Sequence, residues 1–279
     1  MILSISQPGC NGSLKKQRSQ DFNHVNSWIC NYKASVAPTH IDKFDLAVLD
    51  ADSHPDLTWF KNSDTILIGY VSLGEVGKTR WYWNVIRSKP WILDKNPNWG
   101  SRMIDVREKE WHDWLLQCII PKILKQGFAG LFLDTIDNAE YLEKYHPSKK
   151  YPGAQAAMIQ LIKSIRAKYP HIYLIANRGF SLLHSIGPVI DAVVAESLFT
   201  TIDFDSDSLG LRGENESEPI VTMLKRAKRK FHLTIFTLDY VKKENRSIIN
   251  SILARSRLAG FKPYISTPNL DEIYFYSLE

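Results

Sequence analysis

Short apolar runs alternate with longer stretches of helical periodicity along most of the chain. Eight runs are rich in Val, Ile, Leu and Phe, and most are continuously apolar, as is typical of strands buried on both faces of a parallel sheet. The predicted strands are Trp28–Lys33, Phe44–Asp50, Thr65–Ser72, Ala129–Asp134, Ile172–Ala176, Val189–Ala195, Leu233–Leu238 and Pro263–Ser266.

Helical periodicity fills most of the intervals between these runs. Apolar residues recur at i, i+3 and i+4 in Gly153–Tyr169, and the same spacing marks Trp111–Ile119 and Ile248–Leu258. The predicted helix that begins near Trp111 also contains Pro121, which should kink it. Strands that alternate with helices form parallel sheets, and eight such units fit a closed barrel of about 250 residues.

We therefore predict a single-domain (β/α)8 TIM barrel over residues 26–279, preceded by an N-terminal extension at 1–25. A doubly wound sheet is the alternative, but it would favour a glycine-rich phosphate turn, and neither G-x-G-x-x-G nor a Walker motif occurs. The longest irregular segment, Gly77–Met103, carries five aromatic residues. Loops of this length usually have a function.

Composition narrows the class of partner. The chain has 279 residues, 44% apolar and 23% charged, which are ordinary globular values. Its net charge of +5 is too small to indicate nucleic acid by itself, and the basic run Lys225–Lys230 lies late in a predicted helix, where cations favour the macrodipole. We expect a monomer without a nucleic-acid partner and without a membrane span.

The cysteines and the N-terminal sequence give little further information about fold or function. Three cysteines with irregular spacing predict no disulfide framework and no metal motif. Cys10 has no assigned role, whereas Cys30 and Cys118 are interpreted as small core residues. The N-terminus lacks the basic and apolar regions of a signal peptide, so we expect a cytoplasmic protein or one whose leader has been removed.

Polar residues end six of the predicted strands. In a barrel, catalytic groups stand at the carboxyl ends of strands or just beyond them. A carboxylate there is costly to bury without a partner, and six such ends are hard to explain as helix caps alone. The polar strand ends are Asp50–Asp52, Ser72–Glu75, Asp134–Asp137, Asn177–Gly179, Glu196–Ser197 and Asp239–Tyr240.

A mouth rich in carboxylates serves either metal-assisted chemistry or glycosidic cleavage. None of the eight His falls at a strand end, so a His-based zinc site is not expected, although an all-oxygen Mg²⁺ site stays open. Glycosidic cleavage needs two carboxyl groups, an acid and a nucleophile or base, with separated pKa values. Aromatic residues of the Gly77–Met103 segment, with Phe180, Phe199 and Tyr240, fit a saccharide cleft.

Five motifs occur along the chain in the order Tyr70–Glu75, Gly127–Asp137, Ala176–Phe180, Ala195–Ser197 and Pro263–Asp271. Together they resemble the endo-α-1,4-polygalactosaminidase family, a glycoside-hydrolase 114-like group that includes the hydrolase domain of the Pel-polysaccharide deacetylase/hydrolase. It covers nearly the whole chain and implies a (β/α)8 barrel that cuts α-1,4-linked galactosamine or N-acetylgalactosamine polymers. Members of this family are commonly secreted.

The resemblance also implies site residues. It places the catalytic carboxylates at Asp134 and Glu196. It implies substrate contacts at Asp50, Ser72, Glu75, Asp137, Asn177 and Tyr240.

We predict that Glu196 is the general acid/base and that Asp134 is the nucleophile or stabiliser, although the order could be reversed. Asp137 could tune the protonation of Asp134. Glu75 and Asp50 could bind a cationic amino sugar, or Arg178 could instead pair with one of these two carboxylates. The predicted partner is a polysaccharide or oligosaccharide, with no cofactor and no metal. The alternatives are a catalytically inactive barrel that binds carbohydrate and a Mg²⁺-dependent lyase or phosphate-ester enzyme.

Overall fold

Eight parallel strands form a nearly closed barrel in a computed structural model that describes residues 22–204, 206 and 208–278. Each barrel strand pairs with the next one along the chain, and every predicted run overlaps a barrel strand, so the predicted TIM barrel is confirmed. The barrel strands are β1 (Trp28–Asn31), β2 (Leu46–Asp50), β3 (Ile66–Ser72), β4 (Gly130–Asp134), β5 (Tyr173–Asn177), β6 (Ala192–Glu196), β7 (Thr234–Tyr240) and β8 (Lys262–Ser266).

The two ends of the barrel differ in polarity. Tight packing begins at the amino ends of the strands, where the Phe22 ring stacks on Tyr173 at 4.5 Å and meets Phe236 edge-on at 5.7 Å. The seam between β1 and β8 is joined by Trp28, whose Nε1 donates to the Lys262 carbonyl at 3.0 Å. The carboxyl ends carry the polar residues, so the open mouth lies there.

Helices cover the outside of the barrel. No helix of the described residues is long and apolar enough to cross a membrane. The α-helices are Pro38–Ile41, Trp83–Ile86, Lys109–Trp114, Ile120–Lys125, Asn138–Glu140, Ala154–Lys168, Leu183–Ile186, Glu214–Phe231 and Arg246–Leu258. Two π-helical segments are Leu115–Ile119 and Tyr141–Tyr145, and 3₁₀ turns are Leu57–Phe60, Phe180–Leu182 and Phe275–Leu278.

The helix before β4 differs from its prediction around Pro121. A π-helical segment, Leu115–Ile119, directly precedes the α-helical turn in which Pro121 stands near the start. A proline at that position needs no backbone N–H partner, and π-bulges are a recognised cause of helix kinks. The wider π turn also changes which residues face inward: Cys118 is exposed, so its assignment to the core is wrong, whereas Cys30 is buried as predicted.

Two excursions rise from the mouth of the barrel. The segment predicted as irregular after β3 contains a helix and a three-stranded antiparallel sheet of Glu75–Val76, Ile92–Lys95 and Arg102–Ile104. Strands of two to four residues are too short to leave a periodic signal in the sequence. We call residues 75–104 the β3 insert. The second excursion, the β6 hairpin, pairs Thr200–Asp203 with Ser208–Leu211.

The predicted N-terminal extension lies mostly outside the described residues, as does Cys10. Its last part is described, and there Phe22 and Val25 are fully buried against the barrel. The boundary at residue 26 therefore stays a prediction, and the packing of Phe22 offers a way to test it.

Candidate active site

A cleft of about 700 Å³ opens at the carboxyl ends of the barrel strands. It is lined by residues from the strand ends, the β3 insert and the β6 hairpin. Asp50 is the one predicted site residue that does not line it. The predicted residues that do line the cleft are Ser72, Glu75, Asp134, Asp137, Asn177, Glu196 and Tyr240.

One amide joins the two predicted catalytic carboxylates. Asn177 Nδ2 donates to Asp134 Oδ1 at 2.8 Å and to Glu196 Oε2 at 2.6 Å. These two oxygens are therefore at most 5.4 Å apart, the sum of the two distances. Asn177 Oδ1 is buried and has no hydrogen-bond partner among the described residues.

A tyrosine holds the outer oxygen of each carboxylate. Tyr70 Oη donates to Asp134 Oδ2 at 2.8 Å, and Tyr240 Oη donates to Glu196 Oε1 at 2.6 Å. Burial and the neighbouring carboxylates raise the pKa of both tyrosines well above its ordinary value, which keeps the hydroxyls protonated as donors. The two carboxylates therefore have fixed orientations on either side of Asn177.

The pKa of Glu196 is raised above its ordinary value. Burial is the largest cause, and the charge of Asp134 adds to it, while the hydrogen bonds from Asn177 and Tyr240 oppose the shift. A raised pKa favours the protonated form, which is the form that a general acid needs.

Asp137 stands three residues beyond Asp134 and also has a raised pKa. Desolvation is its main cause and Asp134 adds to it, whereas the Arg178 guanidinium lowers it. Arg178 Nε lies 3.1 Å from Asp137 Oδ2. Arg178 therefore pairs with Asp137 and not with Glu75 or Asp50, the two partners that the sequence suggested.

The backbone turns sharply at the ends of three adjacent strands. The residues that follow β4, β5 and β6 all have positive φ: Thr135 at 57°, Arg178 at 55° and Ser197 at 52°. Side chains other than glycine rarely adopt this left-handed conformation, which costs about 1–2 kcal/mol per residue. Strained residues of this kind cluster at functional sites, and here each one turns the chain directly after a side chain of the Asp134–Asn177–Glu196 group.

Glu75 is a buried carboxylate that joins the β3 insert to the barrel mouth. Its oxygens accept from Asn96 Nδ2 at 2.8 Å, from Asn138 Nδ2 at 2.6 Å and from the Ser101 hydroxyl. Ser72 lines the cleft nearby, but its hydroxyl is hydrogen-bonded to Thr135 Oγ1 at 2.7 Å and accepts from the Glu75 backbone. Both predicted contact residues therefore also stabilise the walls of the cleft.

Asp50 is joined to the cleft by Arg80. The Arg80 guanidinium contacts both Asp50 oxygens, at 2.7 and 2.9 Å, and also Asp52 at 3.1 Å. Arg80 lines the cleft and lies over the Tyr70 ring, 5.1 Å from its centroid. Sequence reasoning missed both Arg80 and the Tyr70 hydroxyl. Tyr70 could have been found, since it lies two residues before Ser72 and so on the same face of β3.

Few of the aromatic residues proposed for a saccharide cleft line it. Trp99 and Tyr240 do, and Phe204 of the β6 hairpin, which the sequence did not single out, joins them. Trp91 is buried against Trp111, with ring centroids 5.5 Å apart. The residues of the proposed set that do not line the cleft are Trp81, Tyr82, Trp83, Trp91, Phe180 and Phe199.

The cleft retains unpaired negative charge. Its three arginines all have acidic partners: Arg80 contacts Asp50 and Asp52, Arg178 contacts Asp137, and Arg212 contacts Glu216. Within the described part of the chain, the lining carboxylates Glu75, Asp134 and Glu196 form no ion pair. Nor do the described residues include a group of three or more His, Cys, Asp or Glu that could hold a metal ion.

Solved structures of glycoside hydrolases share this fold. The glycoside hydrolase domain of PelA from Pseudomonas aeruginosa is 26% identical, with a TM-score of 0.76, and the match covers 88% of this chain and 96% of that domain. Ega3 of Aspergillus fumigatus, solved in complex with galactosamine, is 13% identical, with a TM-score of 0.67 over 88% of this chain and 93% of its own.

Sequence comparison gives relatives and a family. An uncharacterized protein of Methanocaldococcus jannaschii is 27% identical over 238 residues, 79% of this chain and 67% of its own length. An uncharacterized protein of Thermotoga maritima is 22% identical over 255 residues, 82% of this chain and 76% of its own. A family model matches residues 12–279. The chain belongs to glycoside-hydrolase family GH114.

Proposed function

We propose that this protein hydrolyses an α-1,4-linked galactosamine or N-acetylgalactosamine polysaccharide, with Glu196 as general acid/base and Asp134 as nucleophile. The observation that carries the proposal is the contact of one Asn177 nitrogen with both carboxylates. It limits the separation of the two bonded carboxylate oxygens to at most 5.4 Å, the sum of 2.8 and 2.6 Å, which is compatible with two groups acting on one glycosidic bond. The pair lies at the end of the barrel where enzymes of this fold carry their active sites.

The raised pKa of Glu196 supports the assignment of the two roles. Glu196 begins the reaction protonated and gives its proton to the glycosidic oxygen that leaves. Asp134 attacks the anomeric carbon and forms the glycosyl ester. Glu196, now a carboxylate, takes a proton from water, and the resulting hydroxyl displaces Asp134. Both residues then return to their starting states.

The separation of the carboxylates favours a retaining reaction. Retaining glycosidases place their carboxyl groups about 5–5.5 Å apart, whereas inverting ones leave roughly 6.5–9.5 Å for a water molecule. The limit of 5.4 Å that Asn177 imposes, the sum of 2.8 and 2.6 Å, fits the retaining class. We therefore expect the first product to have the α configuration.

The charge of the cleft supports an amino sugar as substrate. Glu75 and Asp134 line it without cationic partners among the described residues, so a protonated amine is attracted and an anionic sugar is repelled. The galactosamine bound to Ega3 adds support from a protein of the same fold.

The test is incubation with partially acetylated α-1,4-galactosamine polymer, followed by mass spectrometry of the products. We expect short oligomers from the wild type and a loss of at least about a hundredfold in rate for Glu196→Gln and for Asp134→Asn. The matched controls Glu244→Gln and Asp64→Asn change exposed carboxylates and should retain the wild-type rate. Near wild-type turnover by Glu196→Gln would refute the assignment.

Two further measurements separate the remaining alternatives, a carbohydrate-binding barrel and a Mg²⁺-dependent enzyme. Saccharide that binds without turnover in the wild type would favour a carbohydrate-binding barrel over an enzyme. Loss of turnover in chelator would favour the Mg²⁺-dependent chemistry instead.

Proton NMR during the first turnovers tests the stereochemistry. We expect the α anomer to appear first and to mutarotate later, because displacement occurs twice at the same carbon. Initial appearance of the β anomer would show that water attacks directly and that Asp134 is not the nucleophile.

A further inference from the structure

Arg80 reaches the cleft from the β3 insert and is fixed there by two carboxylates. Its Nη1 and Nη2 donate to the two Asp50 oxygens at 2.7 and 2.9 Å, and Nη1 also donates to Asp52 at 3.1 Å. The side chains of Arg80 and Asp50 are each only 17% exposed. Burial lowers the pKa of Arg80, but the hydrogen bonds and the charge of Asp50 outweigh it and raise this pKa above its ordinary value. The guanidinium is therefore a permanently charged group with a defined position.

The register of the barrel explains why this guanidinium lies on Tyr70. Asp50 is paired with Tyr70 on the neighbouring strand β3, so a cation bound to Asp50 is close to the Tyr70 ring. The guanidinium carbon is 5.1 Å from the ring centroid, and a cation withdrawn from water is attracted to a ring more strongly than an exposed one. The Tyr32 ring meets Tyr70 edge-on at 5.1 Å, and Phe132 of β4 is stacked at 6.3 Å. Two rings and one cation therefore hold Tyr70.

The hydroxyl of Tyr70 links Arg80 to the proposed nucleophile. It donates to Asp134 Oδ2 at 2.8 Å, while Asn177 donates to Asp134 Oδ1 at 2.8 Å. Each oxygen of Asp134 is therefore held by a different donor, and the orientation of the carboxylate depends on both. Burial raises the pKa of Tyr70, and the charge of Arg80 opposes this increase, which makes the hydroxyl a stronger hydrogen-bond donor.

We propose that Arg80 is a positioning residue for Asp134 and acts on it through Tyr70. Two carboxylates fix the guanidinium, the guanidinium holds the Tyr70 ring, and the ring holds its hydroxyl at one oxygen of Asp134. A carboxylate that attacks an anomeric carbon must be aimed accurately, because a misplacement of about 1 Å can cost about a hundredfold in rate. This inference rests on the proposed function, since it takes Asp134 as the attacking group. It gives Asp50 an anchoring role in place of the substrate contact that the family resemblance implies.

Direct contact with the saccharide is the competing role, because Arg80 lines the cleft. The two roles differ in their kinetics: a lost substrate contact raises KM, whereas a misaimed nucleophile lowers kcat and leaves KM in place. They also differ in their dependence on Tyr70. An effect that passes through the Tyr70 hydroxyl disappears when this hydroxyl is removed, whereas the effect of a direct contact remains.

The kinetic experiment replaces the ion pair rather than the arginine alone. Arg80→Met together with Asp50→Asn removes one positive and one negative charge, so the net charge near the cleft is conserved. With a partially acetylated galactosamine oligomer as substrate, we expect kcat of this pair variant to fall about tenfold and KM to stay within about twofold of the wild type. Arg87→Met is the matched control, because Arg87 is exposed, belongs to the same insert and does not line the cleft.

The same substitutions in a Tyr70→Phe background complete a mutant cycle. Loss of the hydroxyl lowers kcat by itself, and the pair substitution should then change kcat by less than about twofold, because both changes interrupt one route. Arg80→Lys is the second variant: it keeps the charge but lacks the flat fork of the guanidinium, and should lower kcat by a smaller factor, again only when Tyr70 is present. An equal fall in kcat in both backgrounds would overturn the proposal, and so would a raised KM with unchanged kcat.

A crystal structure of the pair variant gives a readout that does not depend on turnover. We expect Tyr70 Oη to leave hydrogen-bonding distance of Asp134 Oδ2, with the barrel strands in place. A hydroxyl that stays 2.8 Å from Asp134 would overturn the positioning role. A displaced hydroxyl, together with no turnover of any galactosamine saccharide by the wild type, would refute the proposed function and still support the hold of Arg80 on Tyr70.

Discussion

Tyr240 and Tyr70 have the same contact with different consequences. Each donates a hydrogen bond to the outer oxygen of one catalytic carboxylate. The bond from Tyr240 stabilises the charged form of Glu196 and so opposes the increase in its pKa that burial causes. Tyr240 thereby limits how strongly the acid retains its proton. A group that gives up and regains a proton in each turnover needs this balance.

Replacement of Tyr240 by phenylalanine tests this balance. Loss of the hydrogen bond removes an influence that lowers the pKa of Glu196, so its pKa should rise further. The acid is active when protonated, and the alkaline limb of the kcat/KM profile should therefore move to higher pH. Tyr70→Phe is the matched control: it removes the same group beside Asp134 and should lower the rate without moving that limb. A downward shift, or none, in Tyr240→Phe would contradict this role.

The excursions from the mouth are held by buried carboxylates rather than by apolar packing alone. Asp239 lies on β7 next to Tyr240 and is fully buried. Its Oδ1 accepts from the backbone of Phe199 and from the backbone and hydroxyl of Thr200. Its Oδ2 has no hydrogen-bond partner within the part of the chain that the structure describes. Burial raises the pKa of Asp239 to about 6.

Asp239 should make the protein less stable as pH rises. Its pKa is about 6 when folded against an ordinary value of 3.8, so the folded state holds the proton more tightly. Its contribution is present below about pH 4 and is lost as pH rises to 6, a change of about 3 kcal/mol. Asp239→Asn keeps the acceptor oxygen and does not titrate.

Urea unfolding at several pH values measures this effect. The free energy of unfolding of Asp239→Asn should increase relative to that of the wild type between pH 4 and 6. Asp64→Asn, a change at an exposed position, should follow the wild type throughout. Parallel curves for Asp239→Asn and the wild type would show that Asp239 is not buried as a neutral acid.

The elements that the sequence predicts well are those with many residues in regular contact. Each barrel strand buries both faces, which leaves a continuous apolar run, and the register of a parallel barrel then brings the strand ends together. Asp134, Asn177 and Glu196 could be placed at one mouth for that reason. The hydrogen bonds that these residues share could not be predicted from the sequence. They depend on side-chain rotamers and on positive φ at Thr135 and Arg178, and neither leaves a periodic pattern in the sequence.

The β3 insert is an element that the sequence predicts poorly. The strands of the β3 insert are two to four residues long, and their positions depend on single contacts such as Asn96 with Glu75. The family resemblance implies a substrate contact at Asp50, but Arg80, thirty residues later, occupies its carboxylate. A partner supplied by an irregular segment cannot be inferred from the strand alone.

In the molecule as a whole, the residues that stabilise the fold and the residues of the candidate active site lie at opposite ends of the barrel. The mouth contains strained backbone, partly unsatisfied amides and carboxylates with raised pKa, all of which oppose folding. The opposite end is closed by aromatic rings in close contact. Packing at this second end offsets the unfavourable groups of the first.

Phe22 should therefore contribute strongly to stability although it precedes the predicted barrel boundary at residue 26. Its ring is fully buried between Tyr173 and Phe236, and Phe22→Ala should lower the free energy of unfolding by about 3–5 kcal/mol. Because the cavity forms at the end of the barrel away from the cleft, KM should stay at its wild-type value. Urea unfolding and steady-state kinetics measure both, with Leu258→Ala, at an 89% exposed position, as the control. A loss below about 1 kcal/mol would place Phe22 outside the cooperative core and favour the boundary at residue 26.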